Sequence, residues 1–125
     1  MILMLDAHVL LWWWANDRRL GHPARRSIAD PAHAVVVSAG TVWEIAVKRA
    51  AGRLSAPPNI LETLQREQFD VVPITGGDAV SAAELPLHHR DPFDRLLIAQ
   101  ALRLDALVVT SDRALSAYEA NVLPA

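Results

Sequence analysis

The sequence predicts an α/β fold, a three-layer sandwich around a central parallel sheet of four to five strands. Three observations lead there. Short apolar runs recur along the chain, and they are continuous instead of alternating as half-solvated strands do. Stretches with helical spacing of apolar residues fill the intervals between them. Strand and helix follow one another in this way through 125 residues, which suits a single domain (1–125) with right-handed crossovers.

The first strand is "MILML" (1–5), and Asp6 follows it directly. A helix over 7–16 comes next, with Asp6 placed to cap it. A second helix is expected over 23–30, then the strand "AVVVS" (34–38). The helix over 41–51 opens on Thr41-x-x-Glu44, the form of a capping box, and Glu44 and Lys48 stand at i,i+4. "SAPPN" (55–59) breaks the chain before a helix over 59–68. "FDVVPI" (69–74) is the third strand, followed by a helix over 77–85. Asp91 with Pro92 behind it starts the helix 92–104, and Asp94 falls at its third position, favoured by the dipole. Beyond Asp94 only Arg95, Gln100 and Arg103 are polar, so this helix is expected to be buried. "ALVVT" (106–110) is the fourth strand, a short helix follows over 112–119, and "NVLP" offers a weak edge strand.

The balance of 12 basic and 14 acidic residues, a net charge of −2, argues against a general basic coat for nucleic acid but leaves room for a local patch. No cysteine is present, so a disulfide framework and thiolate metal sites are excluded, and any metal must sit on oxygen or imidazole. The apolar start has no basic segment before it, and Asp6 interrupts it too early for a signal peptide or a membrane span. The expectation is a soluble, cytoplasmic protein with no membrane association.

In open α/β sheets, function gathers outside the carboxyl ends of the strands. Asp6, Glu44, Asp78 and Asp112 all follow strands, and Asp94 opens the helix that leads back into the fourth. Each acid alone reads as a helix cap, and Asn59-x-x-Glu62 shows the same pattern where no strand precedes it. Together they are a different matter. Three or four carboxylates at one sheet edge repel one another, and a hard divalent cation relieves that repulsion best. Such a centre activates water and neutralises charge on a phosphodiester. Spacing alone leaves Asp78 a candidate member.

The segments "LDAHVLLWW", "VSAGTVWEIAVK", "HRDPFDRLLIAQA" and "VVTSDRAL" resemble the successive motifs of the PIN domain. They are more closely similar to the VapC-like toxins of bacterial toxin–antitoxin pairs. The resemblance runs from the first strand through the last helix. It implies an endoribonuclease dependent on Mg²⁺ or Mn²⁺, acting on RNA and held by a cognate antitoxin, and the three tryptophans at 12–14 add the expectation of a homodimer. Carried over residue by residue, it implies Asp6, Glu44, Asp94 and Asp112 as the catalytic and metal-binding acids. Asp78 matches no motif of the family. Asp91 matches the "DPFDR" pattern but not the ligand position, and is read as the cap. The chain departs from the family at Ala7, where many members carry Thr or Ser. Thr110 or Ser111, beside the fourth acid, is the substitute hydroxyl. The rival reading is a catalytically inactive module that binds RNA or a partner. A metal-dependent phosphatase is a third, and no P-loop motif is present.

Other residues carry two readings each. Trp12, Trp13 and Trp14 lie on one helix that turns about 100° per residue, so they cannot all face one core. At least one is expected near the surface, either partly covered or at a homodimer or antitoxin interface. His88, His89 and Arg90 form a solvated loop or touch substrate phosphate. Arg95 and Arg113, each next to an acid, reach a phosphate or pair with the acid. Lys48, Arg49 and Arg53 read as a solvated basic face.

Overall fold

The computed structural model describes residues 1–87, 90–118 and 120–125. Its strands are β1 (Ile2–Leu5), β2 (Ala34–Ser38), β3 (Asp70–Val72), β4 (Leu107–Thr110) and β5 (Val122–Pro124). Its helices are α1 (Ala7–Ala15), α2 (His22–Ala29), α3 (Ala39–Ala50), α4 (Ile60–Arg66), α5 (Gly76–Glu84) and α6 (Pro92–Leu104), with a 3₁₀ turn over Arg113–Ala117. The five strands are all parallel, in the order β3-β2-β1-β4-β5.

Continuous apolar strands need cover on both faces, and the side chains alternate to supply two cores. Leu3 and Leu5 of β1, Val35 and Val37 of β2 and Val109 of β4 join Val9, Leu10, Ala24, Ile45 and Leu64 on the α1–α4 side. Met4, Val36 and Val108 join Leu97, Ile98 and Ala101 of α6, with Leu115 and Tyr118, on the other. This is the three-layer sandwich that the sequence predicts. The weak "NVLP" segment is a true edge strand, with Val122 and Leu123 opposite Val108 and Val109.

The helix ends show where local chemistry differed from expectation. β2 runs straight into α3. Ser38 is its N-cap, accepting from the Gly40 N–H at 3.0 Å, so Thr41 is not a capping residue but the third residue of the helix. Asp6, Asp91 and Asp112 do cap, accepting from the N–H groups of Val9, Phe93 and Ala114. Asn16 and Asp105 close α1 and α6 in the left-handed conformation, both at φ 52°.

Asp78 is a structural acid. It completes a capping box with Thr75 at the start of α5 and is 2% exposed. Arg103 Nε donates to it at 2.7 Å and Gln100 Nε2 at 3.2 Å, so it clamps α5 to the far half of α6. The Arg103 guanidinium holds its carboxyl well below the usual carboxylate range.

Arg95 corrects the reading of a phosphate-binding arginine. It is 8% exposed, and its guanidinium donates to the carbonyls of Ala83, Leu85 and Pro86 at 2.7–3.2 Å. The Tyr118 hydroxyl donates to the same Pro86 carbonyl at 2.9 Å. Arg95 thus satisfies the carbonyls where α5 ends, a need no local sequence pattern displays.

The tryptophan trio is half-buried throughout, with none in the core and none fully exposed. The indole N–H groups of Trp13 and Trp14 both donate to the Glu67 carboxylate, the latter at 2.7 Å. Trp12 lies beside His8, and the Arg19 guanidinium sits 5.4 Å from its ring centroid. These rings are partly covered within their own chain. The exposed indole is Trp43 on α3, at 63%, in edge contact with Phe93. Among the described residues, no helix is long and apolar enough to cross a membrane.

Candidate metal centre

The strand order reverses between β1 and β4, so the crevice beyond their carboxyl ends is the switch point of the sheet. Asp6 and Asp112 lie there. Glu44 arrives one turn into α3, which follows β2. Asp94 arrives in the first turn of α6, whose return toward β4 brings its start to the same edge. A cavity of about 190 Å³ is lined by Asp6, Ala7, His8, Glu44, Lys48, Asp91, Asp94 and Asp112. The structure therefore brings Asp6, Glu44, Asp94 and Asp112 together, while Asp78 is held elsewhere against α6. Asp91, which caps α6, also lines the cavity.

Two of these acids are deeply set, Asp6 at 6% exposure and Glu44 at 7%. Asp6 is fixed through both oxygens. Oδ1 accepts from the Val9 N–H at 2.8 Å, and Oδ2 accepts from the Thr110 hydroxyl. Thr110 in turn accepts from the Asp112 N–H at 3.0 Å, so one hydroxyl links the first and fourth acids. Of the two candidate hydroxyls, Thr110 is the one in contact, and Ser111 is exposed. Burial pushes the Asp6 carboxyl up, the Thr110 and Val9 contacts pull it partly back, and the nearby Glu44 adds a smaller upward push.

Glu44 is paired with Lys48 at 2.7 Å, one turn along α3. Lys48 is therefore part of the acid cavity and not simply a solvated face. Its neighbours in that basic run part company with it. Arg49 donates to the Pro58 carbonyl at 3.1 Å, and Arg53 extends beyond the end of α3. Arg113 is exposed beside Asp112, and Arg90 is also exposed. His88 and His89 lie outside the described residues. His8 was not singled out from the sequence, although it lies two residues past Asp6 and lines the cavity.

The donor set fits a hard divalent cation. Its lining offers carboxylates and the His8 imidazole, and it includes Asp6, whose carboxyl burial pushes up. Among the described residues lining the cavity, Lys48 carries the ammonium. As the side chains stand, no three acids or imidazoles among the described residues converge on a single ion. Glu44 is turned to Lys48, and Asp6 and Asp112 are each held by a capping bond.

Comparison with known proteins gives a consistent picture. The PIN domain family model matches residues 3–121. "Ribonuclease VapC22" of Mycobacterium tuberculosis (strain ATCC 25618 / H37Rv) is 34% identical over 119 residues, covering 93% of this chain and 91% of that protein. Among solved structures, DNA-bound VapBC from Salmonella typhimurium superimposes with a TM-score of 0.70 at 16% identity, covering 99% of this chain and 98% of that one. VapBC2 from Rickettsia felis, bound to a DNA fragment from their promoter, gives 0.69 at 12% identity, with the same coverage. These two likenesses are to the fold.

Proposed function

This chain belongs to the PIN domain family, and from that premise we propose that it is a metal-dependent endoribonuclease, the toxin of a toxin–antitoxin pair. The observation that carries the reading is the meeting of Asp6, Glu44, Asp94 and Asp112, from four separate elements, around one cavity at the switch point of the sheet. The ribonuclease name of the Mycobacterium tuberculosis relative supports the activity, and the VapBC complexes among the structural neighbours support an antitoxin as partner.

In this reading the four acids hold Mg²⁺ or Mn²⁺, and Asp91 serves the helix. A divalent cation in that position supplies an activated water and neutralises charge on the scissile phosphate. The chain's own residues do the rest. Thr110 and the α1 N-terminus fix the direction of Asp6 before substrate arrives. The buried α6, anchored by Arg95 behind it, sets the position of Asp94. A water loses a proton as its oxygen adds to phosphorus, the bond from phosphorus to the departing ribose oxygen breaks, and that oxygen takes a proton from solvent.

The test is cleavage of unstructured RNA by purified protein with Mn²⁺ and with EDTA, in wild type, Asp94→Asn and Asp91→Asn. Asp94→Asn should abolish cleavage with an unchanged circular dichroism spectrum. Asp91→Asn should keep most activity, because asparagine also caps. RNA binding without any metal-dependent cleavage would favour the rival, an inactive binding module.

A further inference from the structure

The four acids come from separate elements, and a cation needs them at fixed spacings. Thr110 supplies one tie, joining Asp6 to the Asp112 N–H within the site. A second tie lies outside it, at the Pro86 carbonyl just past the end of α5. Pro86, Arg95 and Tyr118, which meet there, line no part of the acid cavity.

Asp94 and Arg95 stand side by side at the start of α6, and neighbours on a helix point about 100° apart. Asp94 therefore lines the cavity while Arg95 is buried away from it. Arg95 Nη1 donates to the Pro86 carbonyl at 3.0 Å, and Nη2 donates to the Leu85 carbonyl at 2.7 Å. A planar guanidinium held on two successive carbonyls resists rotation, so the start of α6 is fixed to the end of α5.

The same oxygen holds the segment of the fourth acid. Asp112 opens the 3₁₀ turn Arg113–Ala117, and Tyr118 closes it. The Tyr118 ring belongs to the core with Leu97 and Leu115. Its hydroxyl donates to the Pro86 carbonyl at 2.9 Å, across 32 residues, and lies 3.5 Å from Arg95 Nη1. A phenylalanine ring would fill the same core. What the hydroxyl adds is a bond to the carbonyl that Arg95 also holds, between the segment that begins at Asp112 and the one that begins at Asp94.

We propose that Tyr118 is a positioning residue for the metal centre: through the Pro86 carbonyl it shares with Arg95, it sets the spacing of Asp112 from Asp94. The inference rests on the metal-dependent nuclease reading and deepens it. Mg²⁺ demands a near-ideal octahedral shell, so a small drift between two carboxylates weakens binding and misplaces the activated water.

The experiment compares wild type, Tyr118→Phe and Asp78→Ala. Tyr118→Phe keeps the ring and removes the hydroxyl. Asp78→Ala loosens α6 at its far half, through Gln100 and Arg103, where no acid of the cavity is carried. Mn²⁺ binding is read without RNA, from the electron paramagnetic resonance signal of the free ion. Cleavage of unstructured RNA is followed below the melting range of all three proteins. Tyr118→Phe should melt about 2–9 °C lower than wild type. Its Mn²⁺ affinity should fall on the order of tenfold. At saturating Mn²⁺ its kcat should fall while KM for RNA holds, because no contact with RNA is lost. Asp78→Ala should melt lower still, yet bind Mn²⁺ and turn over as wild type does.

Tyr118→Phe that binds Mn²⁺ and turns over like wild type overturns the proposal. So does an equal loss of Mn²⁺ affinity in Asp78→Ala, which would trace the effect to stability alone. A raised KM with unchanged kcat would place Tyr118 on the RNA path and overturn it too. Wild type that neither binds Mn²⁺ nor cuts RNA overturns the nuclease reading, and the inference falls with it.

Discussion

Thr110→Val removes a hydroxyl and little else. Thr110 is 2% exposed, and its Oγ1 makes two contacts, donating to Asp6 and accepting from the Asp112 N–H. A hydrogen bond to a charged group contributes about 1.5–3 kcal/mol and a neutral one about 0.5–1.5 kcal/mol, so the variant should lose roughly 2–4 kcal/mol at neutral pH. At about 3–6 °C per kcal/mol for a chain of this size, the melting point falls by roughly 6–24 °C. The pH dependence identifies the carboxylate involved. Burial raises the folded pKa of Asp6 above its ordinary value of 3.8. Below that value the carboxyl is protonated folded and unfolded alike. As pH rises from 3.8 through the raised folded value, the unfolded chain releases its proton first and stability falls. Valine removes a contact that pulls the folded pKa down, so it moves that pKa further up and enlarges the fall. Melting in EDTA at pH 4 and pH 7.5 should show the gap between wild type and variant widening toward neutrality. A gap that stays constant or narrows would refute the reasoning.

Two further outcomes are expected. Lys48→Met removes the ammonium that occupies the acid cavity, so Mn²⁺ should raise its melting point more than that of wild type; equal shifts would mean that Lys48 does not compete with the ion. Asp78→Ala should cost roughly 2–3 kcal/mol through the lost cap and buried hydrogen bonds, and RNA cleavage below the melting range should be unchanged. Its sign is opposite to that of Asp6. The folded pKa of Asp78 is depressed, so its stabilisation is present above about 3.8 and is lost as pH falls toward the folded value. The penalty of Asp78→Ala should therefore shrink in acid, as differential melting at pH 7 and pH 3 would show.

The fold was legible because its signals are local. Continuous strands, the breaker before α4 and the Asp91-Pro92 start of α6 each sit within a few residues of what they determine. The acids at the strand ends were legible for the same reason, since strand order places their carboxyl ends together. What depends on distant partners was not. Asp78 and Asp6 look alike in sequence, and it is Gln100 and Arg103, 22 and 25 residues on from Asp78, that make it a clamp and not an edge acid. Arg95 finds its carbonyls 9 to 12 residues back, across the α5–α6 turn. The part played by Thr110 is visible only once β1 and β4 are neighbours, because it meets Asp6 across 104 residues. The false start at Thr41 has a different cause. Ser38 ends a strand and caps a helix at once, and a capping pattern further on drew attention away from it.

Trp13 and Trp14 share Glu67 as a common acceptor, 54 and 53 residues away in the chain. Neighbouring indoles on a helix are ordinarily adhesive, and a cell that accumulates such a protein risks clumping it. Here one carboxylate at the end of α4 takes both N–H groups, and the Trp13 ring lies against Phe69. The helix that carries Asp6 at its cap thus has two of its indoles fixed by a residue that lines no part of the acid cavity.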